Sequence, residues 1–119
     1  MISVICVSNN LEVLNKMLKP SLEKQSETYE LIVLDNRQNE YSSAAKALNA
    51  GAIKAIGEML VFAHQDISFD STLLTNIKND LAHLPLNSIV GLAGVKDKSG
   101  VITNLKQGPE KKNGGDILL

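Results

Sequence analysis

The sequence predicts an α/β fold built on a mainly parallel sheet. Short apolar runs alternate along the chain with segments of helical periodicity, and the connections between them are short. The first apolar run is continuous rather than alternating, which is typical of a strand that is covered on both faces. These observations favour right-handed crossovers, a Rossmann-like sheet and a three-layer αβα arrangement. We also expect one antiparallel edge strand near the C-terminus.

Length, charge and cysteine content narrow the class of protein. The chain has 119 residues and a formal net charge of -1. This length suits a single core, and this charge argues against a nucleic-acid partner. The apolar runs are too short to span a bilayer, and no signal peptide is apparent. The single cysteine, Cys6, is expected to be a small buried residue in a cytoplasmic protein, with the periphery of the inner membrane as one location.

The first strand is predicted at residues 2–7, where the β-branched run places it at the centre of the sheet. Ser8, Asn9 and Asn10 follow and can cap a helix. We expect this helix to kink at Pro20, because proline lacks the backbone N–H that a helix interior requires. Its apolar stripe consists of Leu11, Leu14, Leu18 and Leu22.

The second strand, at residues 29–34, ends on Asp35. The next helix is predicted at residues 42–56, although Asn49 and Gly51 are poor helix formers in its middle. Poor helix formers in the middle of a helix indicate either a functional role or close packing. The apolar face of this helix is predicted to contain Ala45, Leu48, Ala52 and Ile56.

A buried third strand is predicted at residues 59–63, followed by His64, Gln65 and Asp66. In an open α/β sheet, ligands bind beyond the carboxyl ends of the strands. We therefore expect Asp35 and Asp66 to end neighbouring strands and to face one cleft.

The remaining elements are predicted from turn signals and helical spacing. A third helix follows Asp70 or Ser71 and stops at Pro85. A fourth strand at residues 88–95 and a turn at KDKSG lead to a short antiparallel strand at residues 101–105. We expect one domain over residues 1–105 and, at residues 106–119, a flexible segment that is cut off from a longer chain.

The segment after the first strand excludes several nucleotide-binding chemistries. VSNNLE contains neither the glycines of a dinucleotide-binding turn nor those of a P-loop. A receiver domain of a response regulator would have an acidic pair after this strand, where the chain has Ser8 and Asn9. We keep a receiver-like domain only as a distant alternative.

Four successive segments resemble the nucleotide-binding half of a family 2 glycosyltransferase, which has the GT-A fold. They read ISVICVSNN, LNKMLKPSLEKQ, ELIVLDN and ALNAGAIKAIGEMLVFAHQD. The corresponding family patterns are VSVIIPTYN, LxxxLxSLxxQ, EIIVVDD and ARNxGxxxAxGEYIxFLDxD. The resemblance covers residues 2 to about 69, in the same order and with similar spacing.

The resemblance implies a site for a nucleotide sugar. Val7, Ser8 and Asn9 would lie along the base and ribose, and Asp35 would accept a hydrogen bond from a uracil-type imide. Asn49 would let its helix pack close to the nucleotide. These roles are expectations that come from the family pattern.

The resemblance also implies a divalent cation, Mn or Mg, that bridges the diphosphate. Asp66 matches the last aspartate of the DxD signature and would be its ligand. His64 replaces the first aspartate, and both His64 and Gln65 are assigned to nucleotide binding. For Asp66, Asp35 and His64, ordinary roles at strand ends and loops are the competing interpretation, and for Gly51 packing is preferred.

The implied function is metal-assisted transfer of a sugar, expected to be UDP-linked, to a hydroxyl acceptor that is a carbohydrate or is linked to a lipid. The general base of the family lies in a following half that these residues do not include, so no catalytic residue is assigned and enzymatic activity stays open. The alternative is a non-catalytic binding or assembly module of the same fold.

Overall fold

The computed structural model describes residues 1–91, the backbone of residue 92, and the backbone of three short strands at residues 94–96, 102–104 and 117–118. The chain forms two compact units, Met1–Lys78 and Asn79–Leu119. Most of residues 106–119 lie outside the described part, as does residue 105. The domain boundary at residue 105 and the flexible end therefore stay predictions.

The first unit contains a parallel sheet of three strands in the order β2-β1-β3. They are β1 (Ile2–Ser8), β2 (Tyr29–Asp35) and β3 (Met59–Phe62). Both neighbours run parallel to β1, so the α/β class and the central position of the first strand are confirmed. Asp35 and Asp66 follow strands that are separated by β1, so the expectation that they end neighbouring strands is wrong.

One face of the sheet packs against α3 (Ala44–Lys54), with Ile5, Leu34 and Ala47 fully or almost fully buried between them. Gly51 lies on the same face of α3. A Cβ atom there would come within 2.5 Å of Ile5 Cγ2 and 2.8 Å of Leu34 Cδ2. Gly51 therefore permits close packing of α3 on the sheet, which is the interpretation that the sequence analysis prefers for this residue.

The predicted apolar face of α3 is wrong at both of its ends. Ala45 and Ile56 are exposed, and the helix instead buries Ala47 and Gly51, which are four residues apart. Small side chains bring α3 close to β1 and β2, so residue size decides the buried face here more than hydropathy does.

Two short helices, α1 (Leu11–Lys16) and α2 (Leu18–Glu23), replace the single kinked helix that the sequence predicts. Asn10 caps α1 by accepting a hydrogen bond from the backbone N–H of Val13 at 3.2 Å. The break lies at Met17 rather than at Pro20. Proline is tolerated in the first turn of α2, where its missing N–H has no helical partner, but its ring would clash with the carbonyl of Lys16 in a continuous helix.

The third strand is less buried than the sequence predicts. Leu60 is 40% exposed and Phe62 is 52% exposed. Their register with Ser3 and Ile5 places them on the sheet face that carries α3. That helix packs against β1 and β2, so β3 remains partly open at the edge of the sheet.

A polar cluster closes the N-terminal edge of this sheet. The buried Ser3 hydroxyl donates to Glu30 Oε1 at 2.5 Å and accepts from the N–H of Gly57 at 2.8 Å. Glu30 Oε1 also accepts from the N–H of Ile56 at 2.8 Å. The side-chain bond from Ser3, followed by the backbone bond from Ile56, holds the pKa of Glu30 below its ordinary value.

Helix α4 (Leu73–Leu81) begins in the first unit and buries Leu74 and Ile77. It ends four residues before Pro85, earlier than predicted. None of the helices in the described residues has the length and apolar character needed to cross a membrane.

The second unit contains short antiparallel pairs. The strands are β4 (Gly91–Leu92), β5 (Gly94–Lys96), β6 (Ile102–Asn104) and β7 (Ile117–Leu118), with β4 paired to β7 and β5 to β6. The antiparallel strand predicted at 101–105 is confirmed, but it forms a separate two-stranded sheet instead of an edge of the parallel one. Two strands replace the single one at 88–95, and the predicted turn at 97–100 and loop at 106–115 lie outside the described residues.

Candidate functional site

A hollow of about 360 Å³ lies at the C-terminal edge of the parallel sheet. Its walls come from the ends of all three strands and from the first residue of α3. Five of the residues that the sequence singles out meet there, together with two that it does not. The lining consists of Val7, Asn9, Asn36, Ala44, His64, Gln65 and Asp66.

Gln65 connects the end of β3 to the turn after β1. Its Oε1 accepts hydrogen bonds from the Ser8 hydroxyl at 2.8 Å and from the N–H of Asn10 at 3.2 Å. Its Nε2 donates to Asn9 Oδ1 at 2.6 Å. The amide of Gln65 and the fully buried hydroxyl of Ser8 are thus already bonded within the protein, and their roles as direct nucleotide contacts stay predictions.

His64 and Asp66 are both exposed at the hollow. Neither side chain forms a hydrogen bond or ion pair with another residue in the described part of the chain. The negative charge of Asp66 contributes, after burial, to raising the pKa of Cys6 to about 11. Asp66 lines the hollow together with Val7, the residue that follows Cys6 on β1.

The donor set at the hollow fits a hard divalent cation only in part. Among the described residues, no group of three or more potential ligands surrounds a common point. Mg²⁺ and similar ions are, however, commonly held by one or two carboxylates together with substrate phosphates and water. Asp66 can supply that one carboxylate, whereas the imidazole of His64 suits softer metals better.

Asp35 is engaged by a neighbouring arginine. The guanidinium of Arg37 donates to both carboxylate oxygens, with Nη2 to Oδ2 at 2.7 Å and Nε to Oδ1 at 2.9 Å. These bonds, and one from the Arg37 backbone N–H, hold the pKa of Asp35 below its ordinary value. Asp35 is outside the lining of the hollow. Its contact with a base stays a prediction that would require the ion pair to rearrange.

Asn49 is also outside the lining of the hollow, on an exposed position of α3. It lies two residues from Gly51, which is about 200° around a helix, so the two residues face different directions. Its proposed contact with a nucleotide stays a prediction.

Asn36 is a lining residue that the sequence did not single out as a site residue. Its Oδ1 accepts from the N–H of Tyr41 at 2.9 Å, and its Nδ2 donates to the carbonyl of Tyr41 at 3.3 Å. The N–H of Asn36 also donates to the carbonyl of Ser8 at 2.8 Å. Asn36 directly follows a strand and precedes turn residues. This position in the sequence could have predicted that its side chain closes the loop.

Ser21 and Gln25 on and after α2 hold the segment that follows Asp66. The buried Ser21 hydroxyl accepts from the N–H of Phe69 at 3.1 Å. Gln25 donates to the carbonyl of Asp70 at 2.7 Å and accepts from the N–H of Leu74 at 3.0 Å. Both lie in the segment LNKMLKPSLEKQ, for whose polar side chains the sequence predicts no role of this kind.

A second hollow of about 110 Å³ adjoins the first and shares Val7, Ala44 and His64 with it. Its other lining residues, Leu48, Phe62 and Ala63, are apolar. The C-terminal edge therefore combines a polar compartment around Asp66 with an apolar one beside Phe62.

Comparison with protein-family models, curated proteins and solved structures finds no match to this chain. The resemblance to family 2 glycosyltransferases therefore depends on the sequence segments quoted above.

Proposed function

We propose that this chain is the donor-binding half of a family 2-like glycosyltransferase of the GT-A fold. It binds a nucleotide sugar, with UDP as the carrier, at the C-terminal edge of the parallel sheet. The observation that carries the proposal is the convergence of three strand ends on one hollow that contains Asp66. This position is the one that open α/β sheets use for ligands.

The electrostatics of the hollow favour a diphosphate that arrives with a metal. Asp66 is the acidic group of the lining, and a carboxylate repels a diphosphate unless a cation lies between them. A divalent ion such as Mn or Mg, when bound, would neutralise the charge that develops on the nucleoside diphosphate as it leaves. Asp66 holds this ion, and His64 donates a hydrogen bond to a phosphate or ribose oxygen.

The proposal includes the three-layer arrangement and a cytoplasmic location. Burial of both faces of β1 supports the layers, since Ile5 faces α3 while Val4 and Cys6 on the opposite face are also fully or almost fully buried. The general base is a residue other than those that line the hollow. The acceptor, a carbohydrate or a molecule linked to a lipid, is bound by residues other than these as well.

Calorimetric titration of the 119-residue chain with UDP tests the proposal. We expect binding in the presence of Mn²⁺, little or none in the presence of a chelator, and loss of binding in Asp66→Ala. Asp80→Ala is the matched control, because Asp80 is exposed and forms no ion pair with a described residue. Absence of UDP binding both with and without Mn²⁺ would reject the proposal.

A second candidate is a non-catalytic binding or assembly module of the same fold. It is favoured by the hollow having one carboxylate and by the open apolar face of β3 at Leu60 and Phe62. Turnover separates the two candidates. A module would bind UDP or a UDP-sugar without releasing the sugar, even when the longest available form of the protein is supplied with Mn²⁺ and hydroxyl acceptors.

A further inference from the structure

We infer that Gln65 is a positioning residue that turns the side-chain amide of Asn9, so that the NH₂ group of Asn9 faces the hollow and donates to a phosphoryl oxygen. This inference deepens the proposed function and rests on it for the identity of the ligand. Hydrogen bonds within the protein fix the orientation of the two amides.

The orientation of Gln65 is fixed by a donor that cannot act as an acceptor. The backbone N–H of Asn10 points to one end of the Gln65 amide at 3.2 Å. That end must therefore be the oxygen, and the Ser8 hydroxyl shares it at 2.8 Å. The NH₂ group of Gln65 consequently lies at the other end of the amide.

The orientation of Asn9 follows from that of Gln65. Nε2 of Gln65 donates to the nearest atom of the Asn9 amide at 2.6 Å, and only the oxygen of Asn9 can accept this bond. The Asn9 oxygen is therefore occupied. Its NH₂ group has two N–H donors and forms no hydrogen bond with another described residue. Since Asn9 lines the hollow, these are the donors it offers to a ligand.

The residues that set this orientation are themselves held firmly. Ser8 is fully buried at the end of the central strand. Asn10 is anchored by its cap on α1, through its bond from the Val13 N–H. The chain of bonds from Asn10 through Gln65 to Asn9 thus starts at backbone atoms and ends at the hollow.

The ligand atom that complements two N–H donors is an oxygen acceptor. Asn9 lines the same hollow as Asp66, the residue proposed to hold the metal and the diphosphate, so the NH₂ group of Asn9 can contact the same ligand. This assigns Asn9 to a phosphoryl oxygen, whereas the family pattern places this position along the base and ribose. The hollow would then pair Asp66 with the cation and Asn9 with the anion of one ligand.

A double-mutant cycle tests whether Gln65 acts through Asn9. Gln65→Met, Asn9→Ala and the double variant are titrated with UDP and Mn²⁺, with thermal unfolding recorded for each. We expect each single variant to weaken binding about tenfold, the size of one hydrogen bond to a charged group. The double variant should bind as Asn9→Ala does, because Gln65 has nothing left to orient. Gln38→Met is the control, since Gln38 is exposed and unbonded among the described residues.

Two outcomes of the cycle overturn the inference. One is that Gln65→Met weakens binding equally with and without Asn9, which indicates a general structural effect. The other is that Asn9→Ala binds UDP as tightly as the parent protein. Titration with inorganic diphosphate and Mn²⁺ tests the phosphoryl assignment, which fails if Asn9→Ala weakens UDP binding but leaves diphosphate binding unchanged.

A measurement without ligand keeps this inference separate from the proposed function. In NMR spectra of the free protein, we expect the side-chain NH₂ of Gln65 to be protected from solvent exchange and that of Asn9 to exchange freely. Protection of Gln65 should disappear in Asn9→Ala. If the NH₂ of Asn9 is the protected one, the amides have the opposite orientation and the inference is wrong, whether or not UDP binds.

Discussion

The two edges of the parallel sheet use similar polar residues in different ways. At the N-terminal edge, Ser3 and Glu30 bond to each other and to the backbone at Ile56 and Gly57. At the C-terminal edge, Gln65 forms comparable bonds between β3 and the turn after β1. Only there do acidic and imidazole groups, those of Asp66 and His64, lack partners among the described residues.

The difference indicates which edge is structural and which is available to a ligand. A polar group that is bonded inside the protein stabilises the fold, whereas one that is left open must be solvated or bound. Backbone atoms also lie close together at the N-terminal edge. A Cβ atom on Gly57 would come within 2.5 Å of the carbonyl oxygen of Met1 and 2.9 Å of the nitrogen of Ser3.

Gly57→Ala, at the N-terminal edge of the sheet, should have the largest effect on stability. The added methyl group meets backbone atoms of Met1 and Ser3, which cannot move away as the end of a side chain can. We expect a loss of about 3 kcal/mol in the free energy of unfolding, measured by urea denaturation. Gly51→Ala is the comparison, because its methyl group meets side-chain atoms and the helix gains about 1 kcal/mol in propensity. Equal losses in both variants would contradict this account.

Ser21→Ala should destabilise the segment after Asp66, at the C-terminal edge of the sheet, by a smaller amount. Ser21 is 3% exposed, and its hydroxyl accepts a hydrogen bond from the N–H of Phe69, just beyond Asp66. Removal leaves that N–H without its partner at a partly buried position, which costs about 1 to 2 kcal/mol. Hydrogen exchange at Phe69 should rise more than exchange at the strands. Unchanged protection at Phe69 would show that this bond does not hold the segment.

The pH dependence of stability should show the contribution of Glu30 at the N-terminal edge of the sheet. Hydrogen bonds lower the folded-state pKa of Glu30 below its ordinary value of 4.5. Its contribution is therefore complete above pH 4.5 and is lost as the pH falls through the lowered pKa. Thermal midpoints of the parent and Glu30→Gln should differ near neutral pH and converge below pH 4.5. Glu23→Gln is the control variant, because the side chain of Glu23 is exposed and forms no ion pair with a described residue.

Asp66→Asn should have the smallest effect on stability. Its carboxylate has no partner among the described residues, so we expect a change within about 0.5 kcal/mol, as for ordinary surface substitutions. The same variant should lose the Mn²⁺-dependent binding of UDP. A large destabilisation would instead show that Asp66 is a structural residue, and the contrast between the two edges would fail.

The sequence predicts the sheet well because its signals are local and strong. The continuous β-branched run identifies β1 as the central strand, and the polar residues after residue 63 do reach the C-terminal edge. The hollow itself could thus be anticipated from Val7, Asn9 and Asp66. Its full lining could not, because Asn36 closes a loop by accepting, through its side-chain oxygen, a hydrogen bond from the backbone N–H of Tyr41 five residues later.

The errors arise where packing or a nearby charge overrides a local rule. Pro20 moves the helix break to Met17, since a proline in a first turn is harmless and the clash falls four residues earlier. On α3, Ala47 and Gly51 are buried in place of larger residues because they allow a closer approach. Asp35 looks available in the sequence, yet Arg37 two residues later engages both of its oxygens.

The reactivity of Cys6 can be used to measure local unfolding at the centre of the sheet. It is the single cysteine of the chain, is 0% exposed on the central strand, and has a pKa of about 11, so the thiol is protonated and shielded at neutral pH. A thiol reagent can reach it only when β1 separates from its surroundings. The rate of alkylation under native conditions therefore measures how often the centre of the sheet comes apart, without a label, a denaturant or any substitution.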